Sequence, residues 1–164
     1  MPVPEFVLRL REKIGHELLM LPGVCGLVFN EAGEVLLERR SDTGKWAVIG
    51  GMLEPGEAPA DGVVREVFEE TGVQVEPQRI TGVYNTPVIT YPNGDRAQYV
   101  ITTFYCTPLS GTPHVHDEES LEVRYFAIDA LPEGLSEQHR LRIQHAREPG
   151  HGAMFHYEGR WRDR

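Results

Sequence analysis

Three glutamates, Glu66, Glu69 and Glu70, set the chemistry open to this sequence. At about 100° per residue around a helix axis, Glu69 and Glu70 fall within about 60° on either side of Glu66, so one face carries three carboxylates. Gly62 shares that face and leaves space above the acids. Like charges at this spacing cost an isolated helix about 0.2–0.5 kcal/mol per pair. A divalent cation is the simplest agent to offset that cost. Hard cations of the magnesium type prefer oxygen ligands, whereas softer metals favour the His and Cys that this stretch lacks. Read on its own, REVFEE is equally a solvated acidic helix face.

The flanking residues supply the scaffold. Pro59 suits the first turn of a helix, Asp61 suits its positive end, and Gly72 reads as its C-terminal stop. Ala60, Val63, Val64, Val67 and Thr71 form an apolar stripe that faces a core. Ahead of the helix, Gly50-Gly51 and Pro55-Gly56 flank Glu54 and Glu57 in a loop able to bring backbone close to a ligand.

The spacing is specific. Gly51 is followed by five residues and Glu57, then seven residues and Arg65-Glu66, then aliphatic Val67, Glu69-Glu70, and Gly72 before aliphatic Val73. This run, 51–73, resembles the Nudix box at every defining position, and the resemblance to Nudix hydrolases covers roughly residues 22–135. It implies an α/β Nudix fold, a mixed β-sheet sandwiched between α-helices, over a single domain of residues 1–164. Residues 1–21 would form an N-terminal helical extension and residues 150–164 a tail. One departure stands at Ile49, where the family often has Pro before the Gly-Gly pair; Pro fixes φ and Ile does not, so a less stiff loop is expected.

The resemblance also implies roles. Glu66, Glu69 and Glu70 match the metal-binding glutamates, with Glu66 or Glu70 also helping to activate water. Glu57 and Arg65 match the positions that orient the site, and the carbonyl near Gly51 matches a backbone metal ligand. A further carboxylate is expected from a loop before a late strand; Asp117-Glu118-Glu119 is the acidic cluster in that place, with Glu118 favoured as the catalytic one. The implied cofactor is Mg2+, with Mn2+ able to substitute. Cations answer a real difficulty, since a nucleophile must approach an already anionic phosphorus: they neutralise phosphate oxygens, lower the pKa of water and align attacker with leaving group. The implied activity is cleavage of a phosphoanhydride in a nucleoside diphosphate linked to another moiety: a nucleotide sugar, ADP-ribose, a dinucleoside polyphosphate or a nucleoside triphosphate. Two alternatives stay open: a non-catalytic nucleotide-sensing domain, and hydrolysis at an RNA 5′ end.

Composition narrows the alternatives. The 164 residues suit one ordinary domain, and 40% hydrophobic with 25% charged residues describes a globular chain. The formal charge of −9 argues against a nucleic-acid partner. No apolar stretch is long enough to span a membrane. Cys25 and Cys106 lie in apolar runs and read as buried free thiols, which fits a reducing cytoplasm.

Several elements must position the acids. Phe6, Val7, Leu10, Ile14, Leu18 and Leu19 recur at helical spacing, predicting an N-terminal helix over 4–20 that packs on the domain or on a second copy in a homodimer. Val24–Asn30 and Glu34–Arg40 read as hairpin partners around Glu31-Ala32-Gly33, and Trp46–Ile49 as a short strand. Val75–Pro87 reads as extended. Val88–Tyr91 and Gln98–Thr107 flank the turn Pro92-Asn93-Gly94-Asp95, Leu121–Ile128 is a strand, and Leu135–Glu148 a helix.

Weaker signals concern the substrate. Arg39 and Arg40 end a strand beside the box and could grip phosphate; on a regular strand they face opposite sides, so one alone points into the site. Tyr91 lies near an offset that accompanies dinucleoside-polyphosphate hydrolysis in some Nudix branches. A proline slightly earlier accompanies ADP-ribose hydrolysis, and with Pro87 the chain carries both, so neither decides. Trp46 reads as a core or lid residue before a base-stacking one, His114 and His116 as loop residues before zinc ligands, and Arg160-Trp161-Arg162 as a frayed terminus.

Overall fold

The structure is a computed structural model, and it describes residues 4–148, 150 and 152–157; the Arg160-Trp161-Arg162 stretch lies outside these. The order is helix α1 (Glu5–Ile14), strands β1 (Leu18–Val28), β2 (Val35–Arg40) and β3 (Trp46–Ala47), helix α2 (Pro59–Thr71), strands β4 (Gln74–Asn85), β5 (Ile89–Thr90), β6 (Arg96–Ser110) and β7 (Ser120–Phe126), and helix α3 (Glu137–Arg147). A single 3-10 turn, Ile128–Ala130, follows β7.

Two sheets form. β1 runs parallel to β6, β4 runs antiparallel on β6's other side, and β5 pairs antiparallel with β6 around the expected turn. The second sheet is β3–β2–β7, antiparallel throughout. The expected hairpin between β1 and β2 is reduced to one bridge, Phe29 with Val35. β1 instead pairs along its whole length, Leu18 with Arg96 through to Val28 with Cys106. That long-range partner satisfies far more backbone than a hairpin would.

The N-terminal helix is shorter than its periodicity predicts. Gly15, at φ 58, turns the chain after Ile14, and Leu18–Met20 become the start of β1. Leucines at this spacing fit either element, and the glycine decides. Arg11 then clamps the helix to the β5–β6 turn, donating to the Arg96 carbonyl at 2.7 Å and pairing with Asp95 at 3.5 Å. Val7 packs with Leu21 and Ala97.

α2 forms as its sequence directs, with Pro59 opening it and Gly72 closing it in the left-handed region (φ 69, ψ 8), its N–H bonded to the Phe68 carbonyl. Val63 and Val67 pack on β1 at Gly26, where an added Cβ would sit 2.8 Å from Val67 and 3.1 Å from Val63. This core also holds Val24, Val28, Leu36, Phe104 and Cys106. A second core, between α3 and the other faces of the sheets, gathers Cys25, Leu27, Leu37, Val48, Phe126 and Ile143. Both cysteines are buried and free, as expected.

Candidate active site

The box helix buries two of its three acids. Glu66 is fully buried and Glu70 nearly so, whereas Glu69 is half exposed. Arg65 organises them. Its guanidinium grips both oxygens of Glu57, Nε to Oε1 at 2.8 Å and Nη2 to Oε2 at 2.9 Å, and donates to Glu66 Oε1 at 2.9 Å, Glu69 Oε2 at 3.0 Å and the Met52 carbonyl at 3.1 Å. One planar fork thus ties the loop before α2 to the helix. Glu57 in turn accepts the Glu54 N–H at 3.1 Å. Its carboxyl is held below the ordinary range by Arg65, whose own pKa rises.

The Gly50-Gly51 loop is pressed onto this cluster. A Cβ on Gly51 would lie 2.6 Å from the Glu66 carboxyl carbon, so no larger residue fits without moving that acid. The Gly51 carbonyl accepts the Val24 N–H at 2.9 Å and the Ile49 carbonyl accepts the Gly26 N–H at 2.9 Å. Ile49 itself is fully buried. Pairing with β1 therefore holds the loop where a proline would have stiffened it.

β2 contributes an acid that local sequence patterning does not reveal. Glu38 is fully buried, accepts the Ser120 hydroxyl at 2.8 Å on Oε2, and lies 3.6 Å from Arg40 through Oε1. It is the foremost charge acting on Glu70. Its signal in the sequence was an acid inside a strand buried from Val35 to Leu37, but Ser120 lies 82 residues away. Burial raises Glu66 to about 7; burial, then Glu38 and Glu66, lifts Glu70 well above the carboxylate range. Burial likewise raises Glu38.

Arg40 stands on the same strand face as Glu38 and forks onto Asp42 at 3.0 and 3.1 Å, with Glu119 at 4.0 Å. Arg39 points the other way, 3.7 Å from Glu122. In the late loop, Asp117 turns back to accept the N–H groups of Glu119 and Ser120, and its charge acts on both Glu38 and Glu70. Glu118 is exposed. Tyr91 is exposed at the β5 end, sharing a 2.9 Å hydrogen bond with Tyr99, whose ring would touch a Cβ on Gly23 beside the Gly51 carbonyl. Thus Glu57, Arg65, Glu66, Glu69, Gly51, Glu70 and Arg40 come together, while Arg39 faces Glu122. Trp46 packs edge-on against Phe126, 4.7 Å between ring centroids. The two loop histidines face backbone: Nδ1 of His114 meets the Thr112 carbonyl and that of His116 meets the Phe68 carbonyl, closing the end of α2.

The donor set fits a hard cation. Glu66 Oε2, Glu70 Oε2 and Glu38 Oε1 are buried oxygens with no hydrogen-bond partner, a costly state that a cation or a proton relieves. Among the described residues no three His, Cys, Asp or Glu side chains enclose a cation unaided. Waters or phosphate oxygens would complete the shell, as magnesium prefers.

A mixed sheet carrying an acid-bearing helix behind a glycine loop defines a hydrolase of the Nudix class. Similarity to known proteins agrees: the NUDIX domain matches residues 20–146. A MutT-like protein of Streptomyces ambofaciens is 38% identical over 120 residues, 73% of this chain and 72% of its own. An ADP-ribose pyrophosphatase of Methanocaldococcus jannaschii is 26% identical over 130 residues, 77% of this chain and 74% of its own. Among solved structures, a MutT NUDIX hydrolase from Burkholderia pseudomallei superposes with a TM-score of 0.66 at 25% identity, over 77% of this chain and 98% of that one. The chain belongs to the Nudix family of hydrolases, which act on phosphoanhydride bonds.

Proposed function

We propose that this chain is a Mg2+-dependent pyrophosphohydrolase that cleaves the phosphoanhydride of a nucleoside diphosphate linked to another moiety. The observation that carries this is the pair of buried box carboxylates, Glu66 and Glu70, each with an unpartnered oxygen beside a loop only glycine can occupy. A divalent cation held by Glu66, Glu69, Glu70 and the Gly51 carbonyl would neutralise phosphate oxygens and acidify a water. Mn2+ would serve in its place.

The chain's own residues then have distinct tasks. Arg65 ties Glu57, Glu66 and Glu69 to one guanidinium, so the acids need not reorganise when substrate arrives. Arg40, already gripping carboxylates, is suited to take a phosphate in their place. Tyr91 would meet the moiety beyond the diphosphate, whereas Arg39, which faces Glu122 on the other side of β2, has no such role. Proton removal from water falls to Glu66, Glu70 or the 117–119 loop. In that loop Glu118 is the expectation from sequence and Glu119 the acid tied to Arg40; exchanging each for glutamine assigns the role.

No helix among the described residues is long and apolar enough to cross a membrane, and two buried free thiols suit a reducing cytoplasm. A homodimer through α1 is the oligomer we propose, and sedimentation of the full chain tests it. The function is tested with a panel of nucleotide sugars, ADP-ribose, dinucleoside polyphosphates and nucleoside triphosphates, with Mg2+ or Mn2+, identifying released phosphates. Cleavage at an internal phosphoanhydride that fails in Glu70→Gln is expected. Nucleotide binding without turnover would replace the enzyme by a sensing domain.

A further inference from the structure

The ladder between β2 and β7 breaks its register at one point. Glu38 pairs with Val123 and Arg39 with Glu122, but Arg40 then pairs with Ser120, which leaves Leu121 as an extra residue on β7. Residues directly opposite each other in an antiparallel pair share a face. A regular ladder would therefore set Leu121 opposite Arg40, on the face that Glu38 and Val123 share. The bulge turns Leu121 outward, half exposed, and brings Ser120 in, 5% exposed. A hydroxyl thus stands beside Glu38 where regular pairing would put an apolar side chain. The loop before β7 fixes the arrangement: Asp117 accepts the N–H groups of Glu119 at 3.0 Å and Ser120 at 3.2 Å.

Ser120 donates to Glu38 Oε2 at 2.8 Å, and Glu38 is fully buried. The other oxygen, Oε1, has no hydrogen bond and lies 3.6 Å from Arg40 Nη1. Burial works against the charge on Glu38, while the Ser120 hydrogen bond and Arg40 favour it. Arg40 also feels the charge of Glu70. Its fork onto Asp42 reaches an exposed loop acid, and such a pair alone leaves a guanidinium free to swing into solvent. We infer that Glu38 and Ser120 are positioning residues for the phosphate contact of this site: Ser120 orients the Glu38 carboxylate, which holds Arg40 toward the box acids. The inference rests on the hydrolase reading in one respect, that Arg40 meets a phosphate. Phosphate oxygens would take the guanidinium from Asp42 while Glu38 keeps its inner edge.

The test is a double-substitution cycle read by binding. Methylenediphosphonate, a diphosphate whose P–C–P link resists hydrolysis, is titrated by calorimetry into the full chain at saturating Mg2+. Glu38→Gln keeps the shape and still accepts from Ser120 through its amide oxygen, but turns an NH2 toward the guanidinium. It should weaken binding about tenfold and Ser120→Ala about threefold, with Ser120→Thr restoring affinity. In an Arg40→Gln background Glu38→Gln and Ser120→Ala should each change affinity by less than about twofold, since a residue acting through Arg40 has nothing left to act on. Equal losses with and without Arg40 overturn the proposal, as does unchanged or tighter binding in Glu38→Gln. So does a wild type that binds no diphosphate, or binding that Arg40→Gln leaves unaltered. Should Glu38→Gln fail to fold, Ser120→Ala against Ser120→Thr carries the same cycle, and equal losses in those two overturn it. Hydrolysis is read separately: a wild type that binds in this pattern yet turns over none of the nucleotide panel removes the hydrolase reading and leaves the positioning pair in place.

Discussion

β1 separates two polar regions built on opposite principles. Toward α2, buried acids outnumber their cations: Glu38, Glu66 and Glu70 share Arg40 and Arg65, and three of their oxygens have no hydrogen-bond partner. Toward α3, a buried cation is surrounded by a thiol, a phenol and imidazoles, with no acid among the described residues. Neither side neutralises itself. A divalent cation would complete the acidic side in the function proposed above, and Cys25 feels charges from both sides. The difference lies in the unpartnered atoms: burial leaves orphan oxygens on the acidic side, whereas the guanidinium of Arg142 rests over an aromatic face and has no buried nitrogen without a partner.

The acidic side breaks most severely at Glu70. Glu70→Gln should lower kcat by about 10^3-fold, measured on whichever nucleotide the panel identifies. Gly51→Ala ranks next, because its methyl must displace the Glu66 carboxylate; a loss of about 10^2-fold in kcat/KM is expected for so small a displacement. Arg65→Lys keeps the charge but cannot hold Glu57 bidentately while reaching Glu66 and Glu69. It should cost about tenfold in kcat/KM and roughly 2–3 kcal/mol in urea denaturation.

The pH dependence of stability sharpens the contrast without any substitution. Burial lifts Glu66 from its ordinary 4.5 to about 7 and raises Glu70 and Glu38 as well. Folding of the metal-free protein therefore takes up protons, and that contribution is complete below about pH 4.5 and lost as the pH climbs through 7. Thermal melts in EDTA should fall between pH 5.5 and 8 by several degrees, since Glu66 alone accounts for on the order of 3 kcal/mol. Magnesium should restore most of that loss at pH 8 and little at pH 5.5, where protons occupy the same oxygens. A flat profile in EDTA would show that these carboxylates are not buried in solution.

Local chemistry was readable in the sequence, and long-range chemistry was not. The limits of α2 followed from Pro59 and Gly72, and the clustering of Glu66, Glu69 and Glu70 from helical geometry. The β5–β6 hairpin followed from its Asn-Gly turn. Glu38 was silent because its partners, Ser120 and Glu70, arrive from other elements. Arg142 looked like one more basic residue in a helix rich in them, since nothing local reveals that its surroundings lack acid. The pairing of β1 was hidden for the same reason: a Gly-containing turn after Asn30 suggested a hairpin, while the real partner begins at Arg96.

That pairing bears on how the chain is made. During synthesis the first strand emerges long before its partner, and its parallel ladder from Leu18 to Val28 closes only when Cys106 has left the ribosome. Nascent chains halted short of Arg96 expose an unpaired apolar edge to whatever is nearby. Those released just beyond β6 have the means to cover it, so solubility of truncated products should rise sharply across that boundary.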